Sequence, residues 1–254
     1  MEEMAVKINR EKHIGRVLFV VEGSRYEFSL LHRIFVDIFH YEYLEKRRNR
    51  PERFISGSDS NSRVAVINTK ESNIRDITEN AEYLNQMFEI LQEKYDYPID
   101  QSAVYFLFDS DPESNNDRER ILYYIKNLKN AYENDDFLRA GQLLLSYPSI
   151  ESYTITALDS ADSQRFSLGK DAKRYISNHP EIQLNKIDEC AVSNAAKRFL
   201  DFVLRQDRKI DIDNFGDISE KIFEKQDQDY LSGKGYRLFS MLTLAFMQLG
   251  LIEE

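Results

Sequence analysis

The chain has little of what staples or metallates a small protein. Its 254 residues include 1 Cys and 4 His. One cysteine excludes a disulfide within the chain and any thiolate cluster, and four scattered histidines argue against zinc. No apolar run approaches the roughly 20 residues of a membrane span. The start, Met1-Glu2-Glu3-Met4, is acidic and has no apolar signal-peptide core. The Gly-rich loop ending in Lys-Ser or Lys-Thr that cradles ATP phosphates is missing; Gly233-Lys234-Gly235 lacks the required loop. Positive charge is also short, with 34 Lys and Arg against 44 Asp and Glu and a net charge of -10. That balance speaks against a surface that coats nucleic acid. It leaves room for an enzyme that grips nucleic acid through metal ions and a local basic patch. The expectation is a cytoplasmic protein with no membrane contact.

Apolar residues, by contrast, are ample. They make up 42% of the chain, with 12% aromatic, enough for a packed core. The length suits one large domain or a domain with a helical extension. No internal repeat and no low-complexity tract is visible.

The pattern is organised around Val17-Leu18-Phe19-Val20-Val21-Glu22-Gly23. Five apolar, mostly β-branched or aromatic residues predict a strand buried on both faces. A helix over about residues 25–39 follows, with Phe28, Leu31, Ile34, Phe35 and Ile38 at helical spacing. Further strands are predicted at 64–68, 103–108 and 142–147, alternating with helices at 73–95 and 119–132. Alternation of this kind implies a parallel sheet with right-handed crossovers. Beyond residue 150 strand signals nearly vanish, and helices are expected at 150–158, 170–177, 188–205, 218–226 and 236–249. The predicted organisation is an α/β domain over 1–149, a Rossmann-like parallel sheet flanked by helices, with a helical C-terminal subdomain over 150–254 packed on it.

Glu22 then falls where a strand ends and a helix begins, the edge at which open α/β sheets bind ligands. Val104-Tyr105-Phe106-Leu107-Phe108-Asp109-Ser110-Asp111 ends a second strand with two acids. If the strand continues that far, Asp109 and Asp111 share a face, roughly 7 Å apart. With Glu22 they could hold one hard cation or flank two, and a divalent cation would relieve their repulsion. Turn chemistry is the alternative for Asp109 and Asp111. An EF-hand is excluded, because the sixth position is Ser114 and the twelfth is Arg120. Ser24-Arg25-Tyr26-Glu27 fits a capping box, and Glu27 could instead be a further metal ligand. Gly23 suits a tight turn or a close phosphate approach to the helix. Tyr147-Pro148-Ser149-Ile150-Glu151 is a third junction, where Glu151 either complements the helix dipole or joins the acids. Lys46, Arg47, Arg48, Arg50 and Arg53 are either a solvated loop face or phosphate contacts.

These residues resemble a TOPRIM domain, the metal-dependent fold of topoisomerases, bacterial primases and several nucleases. The resemblance rests on Val20-Val21-Glu22-Gly23 and on Asp109-Ser110-Asp111, each after an apolar strand. It implies that Glu22 acts as general acid/base or metal ligand, and that Asp109 and Asp111 bind Mg2+ or Mn2+. The Glu22 to Glu27 segment is also similar to that of RloB-like and OLD-like nucleases of bacterial anti-phage defence, and Pro148-Ser149-Ile150-Glu151 resembles their downstream motif. The likeness spans about residues 16–153. It implies a metal-dependent nuclease cleaving DNA or RNA, the toxic effector of a defence system. Its controlling ABC-type ATPase would be a separate chain, since no ATPase motif is present. The expected chemistry is in-line attack of an activated water on phosphorus. Two other readings remain: a non-catalytic TOPRIM-like assembly subunit, and a small-molecule phosphotransferase, for which no nucleotide motif is present. Homo-oligomerisation is left open by the sequence.

Overall fold

The computed structural model describes residues 6–45, 51–132, 141–159, 164–206 and 210–254. At its centre lies strand β1, Arg16–Val21. Val17 to Val21 are all fully buried, as a continuous apolar run requires when both faces of a strand are covered. Helix α1, Tyr26–His32, leads out of it and continues as a π-helical stretch, Arg33–Ile38. Strands β2 (Tyr41–Glu45), β3 (Glu52–Ser56) and β4 (Arg63–Asn68) follow. A one-turn helix, Asp76–Glu79, precedes α2, Ala81–Tyr95. Next come β5 (Ser102–Asp109), α3 (Arg118–Asn127) and β6 (Gly141–Tyr147). The remainder is α4 (Glu151–Leu158), α5 (Gly169–Asn178), α6 (Glu189–Gln206), α7 (Gly216–Leu231), β7 (Phe239–Ser240) and α8 (Leu242–Gln248).

The strands pair in the order β7-β6-β5-β1-β4-β3-β2, with Lys129–Asn130 alongside β6. β4, β1, β5 and β6 are mutually parallel. β3 and β2 extend the sheet antiparallel beyond β4, and β7 does so beyond β6. The expected parallel sheet is therefore the core of a mixed one. After β1 the chain first builds β4 on one side of it, then crosses to build β5 on the other. The carboxyl ends of β1 and β5 thus mark the point where the winding reverses, and crevices open there.

Three expectations need correction. The sequence pattern predicts no strand between residues 39 and 64, yet Tyr41–Glu45 and Glu52–Ser56 form the antiparallel pair β2 and β3, which carries Arg53 out of the loop expected for it. Tyr41 and Phe54 are buried, and Phe35 packs on both rings at 5.4 and 5.8 Å. Tyr41-Glu42-Tyr43 alternates as a half-buried strand does, a signal obscured by the basic run after it; β3 adds to the edge of β4, and β2 to β3. Residues 236–249 are helical only from Leu242. Tyr236–Arg237 pairs with Arg165–Phe166, and β7 pairs with β6. A short apolar run does not distinguish strand from buried helix, and the free edge of β6 decides it. The helix expected to reach residue 132 stops at Asn127, because Lys129 and Asn130 join β6.

One apolar cluster runs from Ile14 to Ile252 and crosses the junction at residues 149 and 150. Near the two ends of the chain, Lys7–Ile8 pairs with Ile252–Glu253. Among the described residues no helix is long and apolar enough to cross a membrane.

Candidate carboxylate site

Parallel pairing sets Val21 opposite Leu107, so Glu22 emerges beside the end of β5. Glu22 Oε2 accepts the Asp109 N–H at 2.8 Å and Asn115 Nδ2 at 3.1 Å. Its own N–H donates to the Leu107 carbonyl, and Thr69 Oγ1 donates to its carbonyl. Asp109 Oδ1 accepts the Ile150 N–H, at the start of α4, at 2.8 Å. Glu151 Oε2 accepts from Ser149 Oγ at 2.7 Å in the same turn. Glu27 Oε1 accepts the Gly23 N–H at 2.9 Å. Glu22, Glu27, Asp109 and Glu151 all line one cleft of about 470 Å³, with Arg25, Tyr26 and Lys173 on its walls. Three strand-to-helix junctions distant in sequence thus bring four acids to one crevice.

Two details differ from expectation. No capping box forms at Ser24: α1 begins after Arg25, whose side chain makes no cap, and Glu27 reaches back to Gly23 instead. A Cβ built on Gly23 would stand 2.8 Å from both Glu27 carboxylate oxygens, so close approach to that acid is what calls for glycine. Asp111 lies past the end of β5, so it is not an alternate strand position partnering Asp109. It stands beside the cleft, where its Oδ1 accepts the Glu113 N–H and its carbonyl accepts from Ser114 and Asn115. The turn chemistry weighed for it is therefore realised. Gly169, opening α5, comes so near that a Cβ there would sit 2.6 Å from Asp111 Oδ2.

Burial of the acids shifts their titration. It pushes Glu22 up to about 8, opposed by the hydrogen bonds from Asp109 and Asn115 and reinforced by the charges of Glu27 and Asp111. Burial likewise raises Asp109 well above the carboxylate range, with Glu22, Glu151 and Glu27 adding to it. Glu151 is raised, again first by burial. Burial works against the charge of Lys173, but Glu151, Asp109, Glu27 and Asp111 outweigh it and raise the ammonium. Lys173 is thus the local counter-charge to the acids.

Sequence reasoning missed Asn115, Lys173 and Arg25. Asn115 is buried and holds three groups: it donates to Glu22 and to the Asp109 carbonyl, and its Oδ1 accepts the Ile74 N–H. Nothing in Ser114-Asn115-Asn116 marks it apart from loop chemistry. Lys173 sits on α5, and only the packing of α5 brings it to the cleft. Of the basic candidates, Lys46, Arg47, Arg48 and Arg50 lie outside the described residues. Arg53 lies in β3 with its guanidinium 3.6 Å from the centre of the Tyr95 ring, a packing contact within the fold.

Hard carboxylate oxygens are the donors that Mg2+ and Mn2+ take. Among the described residues no donor reaches Glu22 Oε1 or Asp109 Oδ2, which leaves an oxygen on each for a cation. The donor set therefore fits such an ion in kind. As the side chains stand, no three Asp, Glu, His or Cys groups among the described residues are close enough to share one. The chain matches no protein-family model, no curated protein and no solved structure.

Proposed function

We propose that the chain is a divalent-metal-dependent phosphodiesterase of nucleic acid with a TOPRIM-like site. The observation that carries the reading is the pair Glu22 and Asp109. They end adjacent parallel strands at the reversal point of the sheet, are tied to one another, and are both held in a proton-retaining environment. Four acids at one crevice repel each other, and a divalent cation is the ligand that turns that repulsion into binding.

Glu22 and Asp109 would hold the ion, with Glu27 and Glu151 closing around it and Asp111 adding charge from the side. A bound divalent cation supplies Lewis acidity and lowers the pKa of water. Glu22 would serve as base or as ligand to the ion: in the chain without metal burial keeps it protonated near neutral pH, and a cation beside it would favour the carboxylate. Lys173 and Arg25 offer positive charge to a phosphate at the cleft mouth. Ser24 and Arg25 also line a second trough of about 700 Å³, which runs past Phe28, His32 and Tyr43. That continuation suits a polymer on either side of the cut bond better than a small phosphoester. The reading extends to a defence effector whose controlling ATPase is a separate chain, in keeping with the absence of a phosphate-binding loop.

The test is cleavage of single- and double-stranded DNA and RNA with Mg2+ or Mn2+, using the intact chain and the variants Glu22→Gln and Asp109→Asn. Loss of cleavage in both folded variants supports the reading, and retained cleavage in both removes it. The separation of the carboxylates favours a second reading, a non-catalytic TOPRIM-like assembly subunit. That reading expects no cleavage by the native chain under any metal and no thermal shift on metal addition.

A further inference from the structure

A third cavity lies at the opposite, amino-terminal end of β6. It measures about 250 Å³ and is lined by Asn130, Ala131, Tyr132, Gln142, Asp213 and Gln248. Gln142 is the second residue of β6, is 1% exposed, and stands in register with Tyr105 of β5. Among the described residues neither of its buried amide atoms, Nε2 and Oε1, has a hydrogen-bond partner. Gln248 donates through Nε2 to the Ile212 carbonyl at 2.8 Å, and its buried Oε1 has no partner among the described residues. The same holds of the buried Tyr105 hydroxyl. Tyr105 does not line the cavity but stands beside Gln142 in the sheet.

Burying such a group unpaired costs stability, and native folds keep few of them. An apolar side chain at position 142 would avoid the cost, so the amide needs a reason. Three further features narrow the ligand. Among the described residues no Lys, Arg or His lines the cavity, and Asp213 adds negative charge, so a phosphate finds no welcome. Tyr132 is 58% exposed and offers a ring at the entrance, with its N–H held by Asn130 Oδ1. The volume is near the small end of ligand pockets, which start at roughly 300 Å³.

We propose that this cavity binds an uncharged nucleobase or nucleoside, whose adjacent donor and acceptor pair with the Gln142 amide. A glutamine amide matches such an edge in two parallel hydrogen bonds. Tyr132 stacks on the base, and Asp213 accepts from sugar hydroxyls when a sugar is present. This site is independent of the carboxylate cleft, since Gln142 begins β6 while Ile150 and Glu151 follow its other end, and the two sites share no residue.

The experiment is calorimetric titration of the intact chain with adenosine, guanosine, cytidine and uridine, and with the four free bases. At least one probe is expected to bind with one-to-one stoichiometry and to raise Tm. Gln142→Leu weakens that binding by about tenfold or more, the loss of a two-bond contact. Should Gln142→Leu fail to fold, the nearly isosteric Gln142→Met provides the same comparison. Nucleoside binding stronger than base binding, and reduced in Asp213→Asn, assigns the sugar to Asp213. Equal binding of both, retained in that variant, assigns a free base. No binding of any probe in the millimolar range overturns the proposal, as does binding unchanged in the folded glutamine variant.

Discussion

Glu22 Oε2 accepts the backbone N–H of Asp109 at 2.8 Å, so a carboxylate at the end of one parallel strand holds the end of its neighbour. The bond is structural and chemical at once. It fixes the rim of the sheet, and it buries an acid beside other acids.

Asn115 is the neutral donor that makes this arrangement tolerable, since it serves both Glu22 and the Asp109 carbonyl. Asn115→Ala is expected to destabilise the chain by about 2–4 kcal/mol, as it takes a donor from Glu22 and the Asp109 carbonyl, an acceptor from the Ile74 N–H, and buried packing. Chemical denaturation measures the loss. A change below about 0.5 kcal/mol, the size of an ordinary surface substitution, would show that the asparagine is dispensable.

Without metal, stability should fall as pH rises. In the folded chain Glu22 keeps its proton up to about 8, against an ordinary value of 4.5. Between those values the unfolded chain releases a proton that the native chain retains, so protons favour the fold. The contribution is complete below 4.5 and is lost by about 8. At roughly 1.4 kcal/mol per pH unit it amounts to a few kcal/mol, shared with the coupled Asp109. Denaturation midpoints across that range, with and without Glu22→Gln, measure it, and a parallel slope in the variant would contradict the assignment.

Lys173 offsets the same acids. Lys173→Met is expected to lower Tm at pH 8 without metal and to enlarge the rise that Mg2+ or Mn2+ produces, because a ligand of the native state stabilises by mass action. Thermal scans in chelator and in metal give both numbers. An identical metal-induced rise in native and variant chains would place the cation elsewhere.

Gly23→Ala puts a Cβ against the Glu27 carboxylate, at 2.8 Å from each oxygen. The acid must swing away from the Gly23 N–H it now accepts from. We expect a cost of about 1–2 kcal/mol and a fall in cleavage that Glu27→Gln reproduces. Equal cleavage in all three chains would confine Glu27 to shaping the turn.

Tyr97 provides a control away from the cleft. Its buried hydroxyl lies 2.5 Å from the Val17 carbonyl and 3.0 Å from that of Arg63, bridging β1 and β4 at their amino-terminal ends. Tyr97→Phe should cost about 1 kcal/mol and leave metal response and cleavage unchanged. A change in cleavage would mean that the sheet transmits strain from that end to the cleft.

The local sequence settled whatever depends on local pattern. The β-branched and aromatic runs at Val17 to Val21 and Val104 to Phe108 pointed to doubly buried strands, and both are, so the acids that follow them stand at a sheet edge. Tertiary structure decided what depends on partners far along the chain. β3 and β7 form on the open edges of β4 and β6, and β2 in turn on β3, partners that their own residues do not name. Whether Glu27 caps Ser24 or turns to Gly23 depends on where α1 starts. That Asn115 and Lys173 meet Glu22 depends on how a loop and α5 fold back over the rim. Side-chain periodicity records which face of an element is covered, but not which residue covers it.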